Sequence, residues 1–177
     1  SILNMFLPKG KTLLTMKGKI KSANQTFATT VEPIDTVMPI VVMVNGQTAS
    51  ASEITSGALQ DFDRAVVLGT RTYGKGLVQV PNVPLPYNGK LKLTTAKYYI
   101  PSGRCIQAIN YKHSKGGYTE HVPDSLTHIF HTAAGREVRD GGGIKPDVVV
   151  EADSLPNIAL YLERVCLLYT SPSPRDA

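Results

Sequence analysis

The sequence predicts an α/β fold with mixed sheets, because two buried strands flank a helix and an alternating strand follows. The apolar, β-branched run at residues 40–45 is typical of a strand buried on both faces, and residues 64–70 repeat this pattern. Between them, residues 51–62 carry apolar side chains at helical spacing. A strand, a helix and a strand this close together predict a βαβ unit, whose crossover is nearly always right-handed.

Further elements are indicated on the C-terminal side of this unit. The glycine-rich residues 72–80 lead into a third strand, and the alternation of residues 89–100 indicates an antiparallel strand. Residues 140–150 end in a short strand. A helix is predicted over residues 154–165, with Ser154 as its N-cap.

Composition and charge argue against several classes of function. The 177 residues are 42% hydrophobic, enough for one domain with a core, and no apolar run approaches the roughly 20 residues that span a bilayer. The net charge is +5, but no aromatic residues interleave with the lysines of residues 9–21. We therefore interpret these lysines as the solvated side of a β-hairpin, not as a nucleic-acid or membrane site. Cys105 and Cys166 form no disulfide framework and no metal motif.

Residues 44–54, VNGQTASASEI, join the first buried strand to the helix and contain two serines. A sharp strand-to-helix turn can expose a serine hydroxyl, and the unpaired N–H groups of a helix N-terminus can stabilise an oxyanion. Ser50 lies at this turn, and the N–H of Ala51 is the natural donor. Ser52 is predicted as a helix cap, with Glu53 in the first turn. The same pattern also fits a capped, tightly packed helix start without catalysis.

A nucleophilic serine needs a base, for which the sequence offers histidine or lysine. The four histidines lie in a polar excursion over residues 110–140: His113, His121, His128 and His131. None has an obvious organising carboxylate, but a triad is assembled in space, so a Ser-His-Asp site stays open. Lys75 lies between glycines after the second buried strand, where burial would favour a neutral amine that accepts the serine proton. A solvent-facing lysine in a turn is the simpler interpretation of an isolated Gly-Lys-Gly.

Taken together, these residues resemble a known family. The stretch NGQTASASEITSGALQDFDRAVVLGTRTYGKGLVQ closely resembles the catalytic segment of the carboxy-terminal processing peptidases, or tail-specific proteases. KYYIPSGRCIQ and GGGIKPDVVV resemble two further signatures of that family, and the likeness runs in order from residue 1 to about residue 150. The resemblance implies a crotonase-like fold of ββα units in a superhelix. It also implies a serine endopeptidase that cleaves protein substrates near their C-termini.

The resemblance assigns the site residue by residue. The nucleophile falls on Ser50, which precedes the lysine by 25 residues, and the general base falls on Lys75. Gln79 corresponds to the residue that orients the lysine, and the strand period of two places positions 75 and 79 on one side. The N–H of Ala51 supplies half of the oxyanion hole, and the family's other half is a glycine expected before this chain. No metal and no cofactor are expected.

The resemblance also implies the surroundings of this core. Residues 1–165 are expected to form an N-terminally truncated catalytic core, preceded in the full-length protein by a PDZ domain that binds a substrate's C-terminal tail. Residues 166–177, rich in Ser and Pro, are expected to be a disordered, non-native tail. Residues 116–143 resemble an insertion of Bacteroidetes-type members, which implies a periplasmic or envelope location. The expected partner is a polypeptide and not a nucleic acid, and a homo-oligomer stays open.

A non-catalytic protein is the alternative. The same fold hosts acyl-CoA chemistry, and some relatives have lost the nucleophile and serve as scaffolds or peptide-binding modules. The presence of serine, lysine and glutamine together favours the enzyme. Labelling with a fluorophosphonate would separate the two functions.

Overall fold

The computed structural model describes residues 2–110, 118–119 and 124–150. Its strands, in chain order, are β1 (Thr12–Gly18), β2 (Gln25–Ala28), β3 (Val41–Val44), β4 (Val66–Gly69), β5 (Leu77–Pro84), β6 (Lys90–Tyr99), β7 (Ile109–Asn110), β8 (Tyr118–Thr119), β9 (Ile129–His131), β10 (Glu137–Arg139) and β11 (Val148–Val149). The α-helix α1 comprises Ala51–Asp61. The helix predicted over residues 154–165 and the tail predicted over residues 166–177 lie outside the described residues.

The predicted βαβ unit is present as β3, α1 and β4. Strands β3 and β4 pair in parallel, from Val41 opposite Val66 to Val44 opposite Gly69. Strand β11 pairs in parallel with the other edge of β4, which gives the order β11-β4-β3. The segment after β3 therefore leaves the carboxyl end of a parallel sheet and enters α1 directly.

A second sheet is antiparallel and has the order β2-β1-β6-β5. Strand β6, predicted from its alternation, pairs with β1 and with β5, as Thr15 opposite Tyr99 and Leu77 opposite Lys97 show. The lysines of residues 9–21 are exposed on and beside the β1–β2 hairpin, as predicted. Together the parallel and antiparallel sheets confirm an α/β fold with mixed sheets.

Two apolar clusters of buried side chains connect α1 to these sheets. The first joins α1 to the N-terminal segment through Leu3, Leu7, Leu13, Ala58, Leu59 and Ala65. The second joins the parallel sheet to the end of β6 through Val44, Val67, Tyr98, Ile100, Ile106 and Ile144. Gly57 permits this packing, because a Cβ there would lie 2.8 Å from Cδ1 of both Ile100 and Ile144. The second cluster brings the end of β6 beside the end of β3, where the serine turn begins.

The parallel sheet buries one face only within the described residues. Val44 and Val67 are 6% and 0% exposed, whereas Val41 and Met43, which point the other way, are 60% and 81% exposed. The prediction that these strands are buried on both faces is therefore wrong for the described part of the chain. An apolar, β-branched run favours a strand, but the layers packed against the strand decide how many faces are buried.

Buried polar groups fix the C-terminal end of α1. The Arg104 guanidinium lies 2.8 Å from the Asp61 carboxylate, and both side chains are nearly inaccessible, at 0% and 1% exposure. Arg104 also donates to Gln60 Oε1 at 2.7 Å, and the Gln60 amide donates to Asp147 Oδ1 at 2.9 Å. Asp147 in turn accepts the Val67 N–H at 2.8 Å. These contacts tie the helix, the turn before Arg104 and the start of β11 into one rigid support for the site.

Candidate active site

The serine turn has an unusual backbone. Ser50 is the N-cap of α1, with φ +57° and ψ −116°, in a region that residues with a side chain seldom adopt. Such a conformation makes a sharp strand-to-helix turn, and nucleophilic serines of other hydrolases occupy similar strained turns. Ser50 is half-buried and Ala51 is exposed. The turn therefore presents a serine at the start of a helix, as predicted.

The other serine of this segment does not cap the helix. Ser52 lies inside the first turn of α1, where its N–H donates to the Ala49 carbonyl at 3.2 Å, and its side chain is exposed. The prediction of Ser52 as a cap is wrong, because the left-handed conformation of Ser50 starts the helix two residues earlier. The residue three positions after Ser50 is a glutamate, which is the spacing of a capping box and could have indicated this start.

A buried carboxylate joins the serine turn to the lysine loop. Glu53 is 0% exposed, and its Oε2 accepts the N–H of Ser50 at 2.9 Å and the N–H of Lys75 at 2.8 Å. Its Oε1 accepts the Thr72 hydroxyl at 2.5 Å and the Gly74 N–H at 2.7 Å. The sequence pattern predicted for Glu53 only a place in the first helical turn. The contacts show that it organises two segments about twenty residues apart.

The lysine loop, residues 72–76, is held by its backbone. Thr72 N–H donates to the Ile144 carbonyl at 3.1 Å, and Gly74 C=O accepts the Ala108 N–H at 2.9 Å. Gly74 has φ +83°, and a Cβ there would lie 2.3 Å from Ala108 Cβ, so only glycine fits. The loop is therefore rigid at the residue before the candidate base.

The Lys75 side chain itself is exposed. Among the described residues, its amine makes no hydrogen bond or ion pair, and none joins it to Ser50 Oγ. The burial expected for Lys75 beside apolar strand residues is therefore absent from the described part of the chain. The lysine loop holds the Lys75 backbone against α1 through Glu53, while the side chain is exposed.

Gln79 is the third residue of β5, which begins at Leu77. It is half-buried and pairs with Thr94 of β6, next to a bulge at which Val78 pairs with Ala96. Lys75 precedes the strand by two residues, so the period of two does not by itself place Lys75 and Gln79 on one side. The contact between the two side chains stays a prediction.

Tyr98, from the end of β6, reaches into the site and was not singled out from the sequence. It is 3% exposed, and its hydroxyl donates to the Lys75 carbonyl. Burial raises the pKa of Tyr98, and the nearby charge of Glu53 raises it further, while the neighbouring Ser50 hydroxyl opposes the shift. The phenol thus stays protonated and acts as a donor.

The remaining sequence candidates fall into two groups. The N–H of Ala51 makes no hydrogen bond within the described residues, so it is available to an incoming oxyanion. Of the histidines, His128 is 82% exposed and contacts Asp140 at 3.1 Å, and His131 lies in β9. Neither bonds to Ser50. His113 and His121 lie outside the described residues.

Within the described residues, no group of three or more His, Cys, Asp or Glu side chains could hold a metal ion. No helix there is long and apolar enough to cross a membrane.

Comparison with known proteins identifies relatives of this chain. The family model described as Peptidase family S41 matches residues 1–114. The carboxy-terminal-processing protease of Bartonella bacilliformis is 46% identical over 109 residues, which cover 62% of this chain and 25% of that protein. The chloroplastic carboxyl-terminal-processing peptidase 1 of Arabidopsis thaliana is 41% identical over 98 residues, covering 55% and 20%. This chain thus spans about a quarter or less of these relatives' length.

Solved structures agree with this fold. The photosystem II D1 C-terminal processing protease superposes with a TM-score of 0.60 at 28% identity, covering 99% of this chain and 36% of that one. A putative S41 protease from Bacteroides fragilis superposes with a TM-score of 0.54, covering 86% and 33%. Its identity is 17%, so this second likeness concerns the fold alone.

Proposed function

Because this chain belongs to peptidase family S41, we propose that it carries the nucleophile and the general base of a serine endopeptidase. The proposed substrate is a polypeptide cleaved near its C-terminus, as the names of the relatives suggest. In this proposal Ser50 attacks the scissile carbonyl, Lys75 takes the serine proton, and Gln79 orients the lysine. The N–H of Ala51 donates to the oxyanion that forms.

One observation carries this proposal. The N–H groups of Ser50 and Lys75 donate to the same oxygen of the buried Glu53 carboxylate, at 2.9 and 2.8 Å. Two residues separated by 25 positions therefore have backbone nitrogens within about 6 Å of each other, the sum of two hydrogen-bond lengths. A purely structural turn needs no lysine loop at this distance, whereas a serine nucleophile needs a nearby base.

Lysine can serve as this base only when its amine is neutral. The exposed Lys75 side chain is solvated in the free protein, and a polypeptide bound across the turn would exclude that water. Loss of water disfavours the ammonium form and lets the amine accept the serine proton. We propose that substrate binding completes the Lys75 environment and that Gln79 then orients the neutral amine without adding charge.

The wider architecture belongs to the same proposal. The likeness to the D1 protease structure supports a crotonase-like arrangement of ββα units around the described strands. A PDZ domain in the full-length protein would select substrate tails by strand addition. The relatives include a bacterial and a chloroplast protein, which agrees with the proposed periplasmic or envelope location. A homo-oligomer is compatible with it.

Hydrolysis of a fluorogenic peptide by the full-length protein tests the assignment. Ser50→Ala and Lys75→Arg should each abolish turnover. The first variant lacks the nucleophile, and in the second the guanidinium stays charged and cannot accept the serine proton. Lys75→Met, which keeps much of the apolar stem, should also be inactive but folded by circular dichroism. Ser52→Ala, two positions away on the exposed side of α1, is the matched control and should retain activity.

The outcomes separate the proposed enzyme from a scaffold. Labelling of the parent by a fluorophosphonate, lost in the Ser50→Ala protein, supports the serine peptidase. A folded parent that neither hydrolyses peptides nor labels at Ser50 would indicate a non-catalytic peptide-binding module. Near-normal turnover by Lys75→Arg would rule out lysine as the base and return attention to the histidines.

A further inference from the structure

We propose that a pocket on the outer face of the antiparallel sheet binds an acidic side chain of the polypeptide substrate; this proposal rests on the proposed function. This outer pocket has a volume of about 400 Å³ and is lined by Lys17, Lys19 and Lys97 and by the half-buried Leu77. Small-ligand sites typically measure about 300–1,000 Å³, so the outer pocket can accept a side chain but not a folded partner.

The strand register places these side chains on one face of the sheet. Lys97 of β6 lies directly opposite Lys17 of β1 on one side and Leu77 of β5 on the other, so the three form a row. The neighbouring β6 residues Ala96 and Tyr98 point to the other face and are 4% and 3% exposed. The row therefore faces away from the core, and both of its lysines are exposed.

Two like charges face each other across neighbouring strands of this row. Lys17 and Lys97 form a directly opposite pair, which destabilises the pairing of β1 with β6. Lys19 adds a third ammonium group, and no acidic residue of the described chain lines the outer pocket. Among the residues that the structure describes, none of these lysines forms an ion pair. A carboxylate bound there would be attracted by all three lysines and would offset their mutual repulsion.

A β-bulge lies beside the lysines. The pairing of β5 with β6 passes from Val78 opposite Ala96 to Gln79 opposite Thr94, so Thr95 has no partner in β5. Bulges redirect side chains and are common next to functional sites. Thr95 lines the outer pocket, and a threonine hydroxyl can donate to a carboxylate. The outer pocket therefore offers a hydrogen-bond donor in addition to its charge.

The outer pocket lies close to the candidate base. Leu77 follows Lys75 by two residues, so their Cα atoms are at most about 7 Å apart. The carbonyl of Gly76, between them, accepts the Tyr98 N–H at 3.1 Å, which fixes this short connection to β6. A polypeptide bound at the Ser50 turn therefore reaches the outer pocket within a few residues of its scissile bond.

A solvated sheet face and a nucleic-acid site are the alternatives. A solvated face needs no pocket and gains stability from opposite charges across strands, whereas here like charges are opposite. Nucleic-acid sites without sequence preference stack bases on aromatic rings. The Tyr99 ring on this face is covered by the Lys17 ammonium group, 5.0 Å from the ring centroid. An acidic peptide fits these observations better than either alternative.

Cleavage of matched peptides by the full-length protein tests the proposal. A series of C-terminally amidated fluorogenic peptides carries one glutamate, moved one position at a time along both sides of the scissile bond, with glutamine as the reference at each position. At one position we expect kcat/KM for glutamate to exceed that for glutamine about 5- to 25-fold, because each exposed ion pair contributes up to about fivefold. The difference should lie in KM, since the outer pocket does not touch the reacting atoms, and it should shrink at high salt.

Charge changes at Lys97 identify the outer pocket as the source of this preference. The glutamate-to-glutamine ratio should fall in Lys97→Gln and approach one in Lys97→Glu. Lys92→Glu makes the same charge change at an exposed position of β6 outside the outer pocket and should keep the ratio of the parent. Lys97→Glu also replaces a repulsive pair with Lys17 by an attractive one, so its melting temperature should not fall.

The outcomes separate the outer pocket from the catalytic assignment. If the parent cleaves the peptides and Ser50→Ala does not, but the ratio is about one at every position, the proposed function stands and the pocket proposal is wrong. The pocket proposal is also wrong if Lys92→Glu lowers the ratio as much as Lys97→Glu does, because the effect then belongs to the net charge. A folded parent that cleaves none of the peptides overturns the proposed function and this subsite together.

Two other ligands would overturn the assignment to an acidic side chain. A preference for free-acid over amidated peptides, without any effect of the glutamate position, would assign the outer pocket to a C-terminal carboxylate. A ratio of about one, together with binding of a labelled single-stranded oligonucleotide that Lys97→Glu abolishes and Lys92→Glu does not, would assign it to nucleic acid.

Discussion

Replacing Glu53 by glutamine should loosen the link between the serine turn and the lysine loop. The substitution keeps the size of the buried side chain but turns one carboxylate oxygen into an NH₂ group. The carboxylate accepts four hydrogen bonds, two at each oxygen. Whichever oxygen is replaced, two donors lose their acceptor and face another donor.

The geometry suggests which pair is lost and how much it costs. The Thr72 hydroxyl can turn its proton away and accept from an NH₂ group, as its oxygen already accepts from the Ile144 N–H at 2.7 Å. The N–H groups of Ser50 and Lys75 can only donate, and the backbone fixes their direction. The NH₂ group should therefore face Thr72 and Gly74. A hydrogen bond to a charged group contributes about 1.5–3 kcal/mol, so we expect Glu53→Gln to lower the unfolding free energy by about 3 kcal/mol or more. Loosened anchoring should lower kcat about 10- to 100-fold.

Urea unfolding and peptide hydrolysis of the full-length protein measure these two effects. Glu137→Gln makes the same chemical change at an exposed position of β10 and should leave both quantities near those of the parent. A stability loss under about 1 kcal/mol for Glu53→Gln, together with normal kcat, would refute the argument, because a net hydrogen-bond effect of that size is ordinary.

Three other changes test the support around the site. Arg104→Leu strands the buried Asp61 carboxylate without its partner and should cost about 3–5 kcal/mol of unfolding free energy in urea titrations; a loss under about 1 kcal/mol would contradict this. Gly74→Ala should lower peptide turnover far more than Gly10→Ala, because both have positive φ but only Gly74 would clash, and equal activities would contradict the packing argument. Burial acts to raise the pKa of Asp63, but hydrogen bonds from Ala134 and Arg136 outweigh it and lower that pKa in the folded protein. The Asp63 carboxylate therefore stabilises the fold above about pH 3.8, and this stabilisation is lost as pH falls through the lower pKa of the folded state. Asp63→Asn should flatten acid unfolding curves in that range, and an unchanged curve would refute this.

Sequence patterns predicted the elements that depend on neighbours along the chain. The run at residues 40–45, the helical spacing of residues 51–62 and the alternation of residues 89–100 each reflect local side-chain periodicity. These patterns placed Ser50 correctly at a strand-to-helix turn. The structure places the cap at Ser50 and not at Ser52, because Ser50 adopts positive φ, a conformation that composition does not reveal.

The contacts that organise the candidate site come from residues far apart in sequence, so no window of the sequence contains them. Glu53 connects the helix to a loop about twenty residues later, and Tyr98, from another sheet, donates to the Lys75 carbonyl of that loop. The family resemblance assigned a nucleophile, a base and an orienting amide, and neither of these two side chains is among them. Yet the position of Lys75 relative to Ser50 depends on both of them, because the lysine side chain makes no hydrogen bond of its own within the described residues. The residue types that perform the proposed chemistry can be recognised from a motif, whereas the distance between them is determined by buried polar partners that only the assembled sheets bring together.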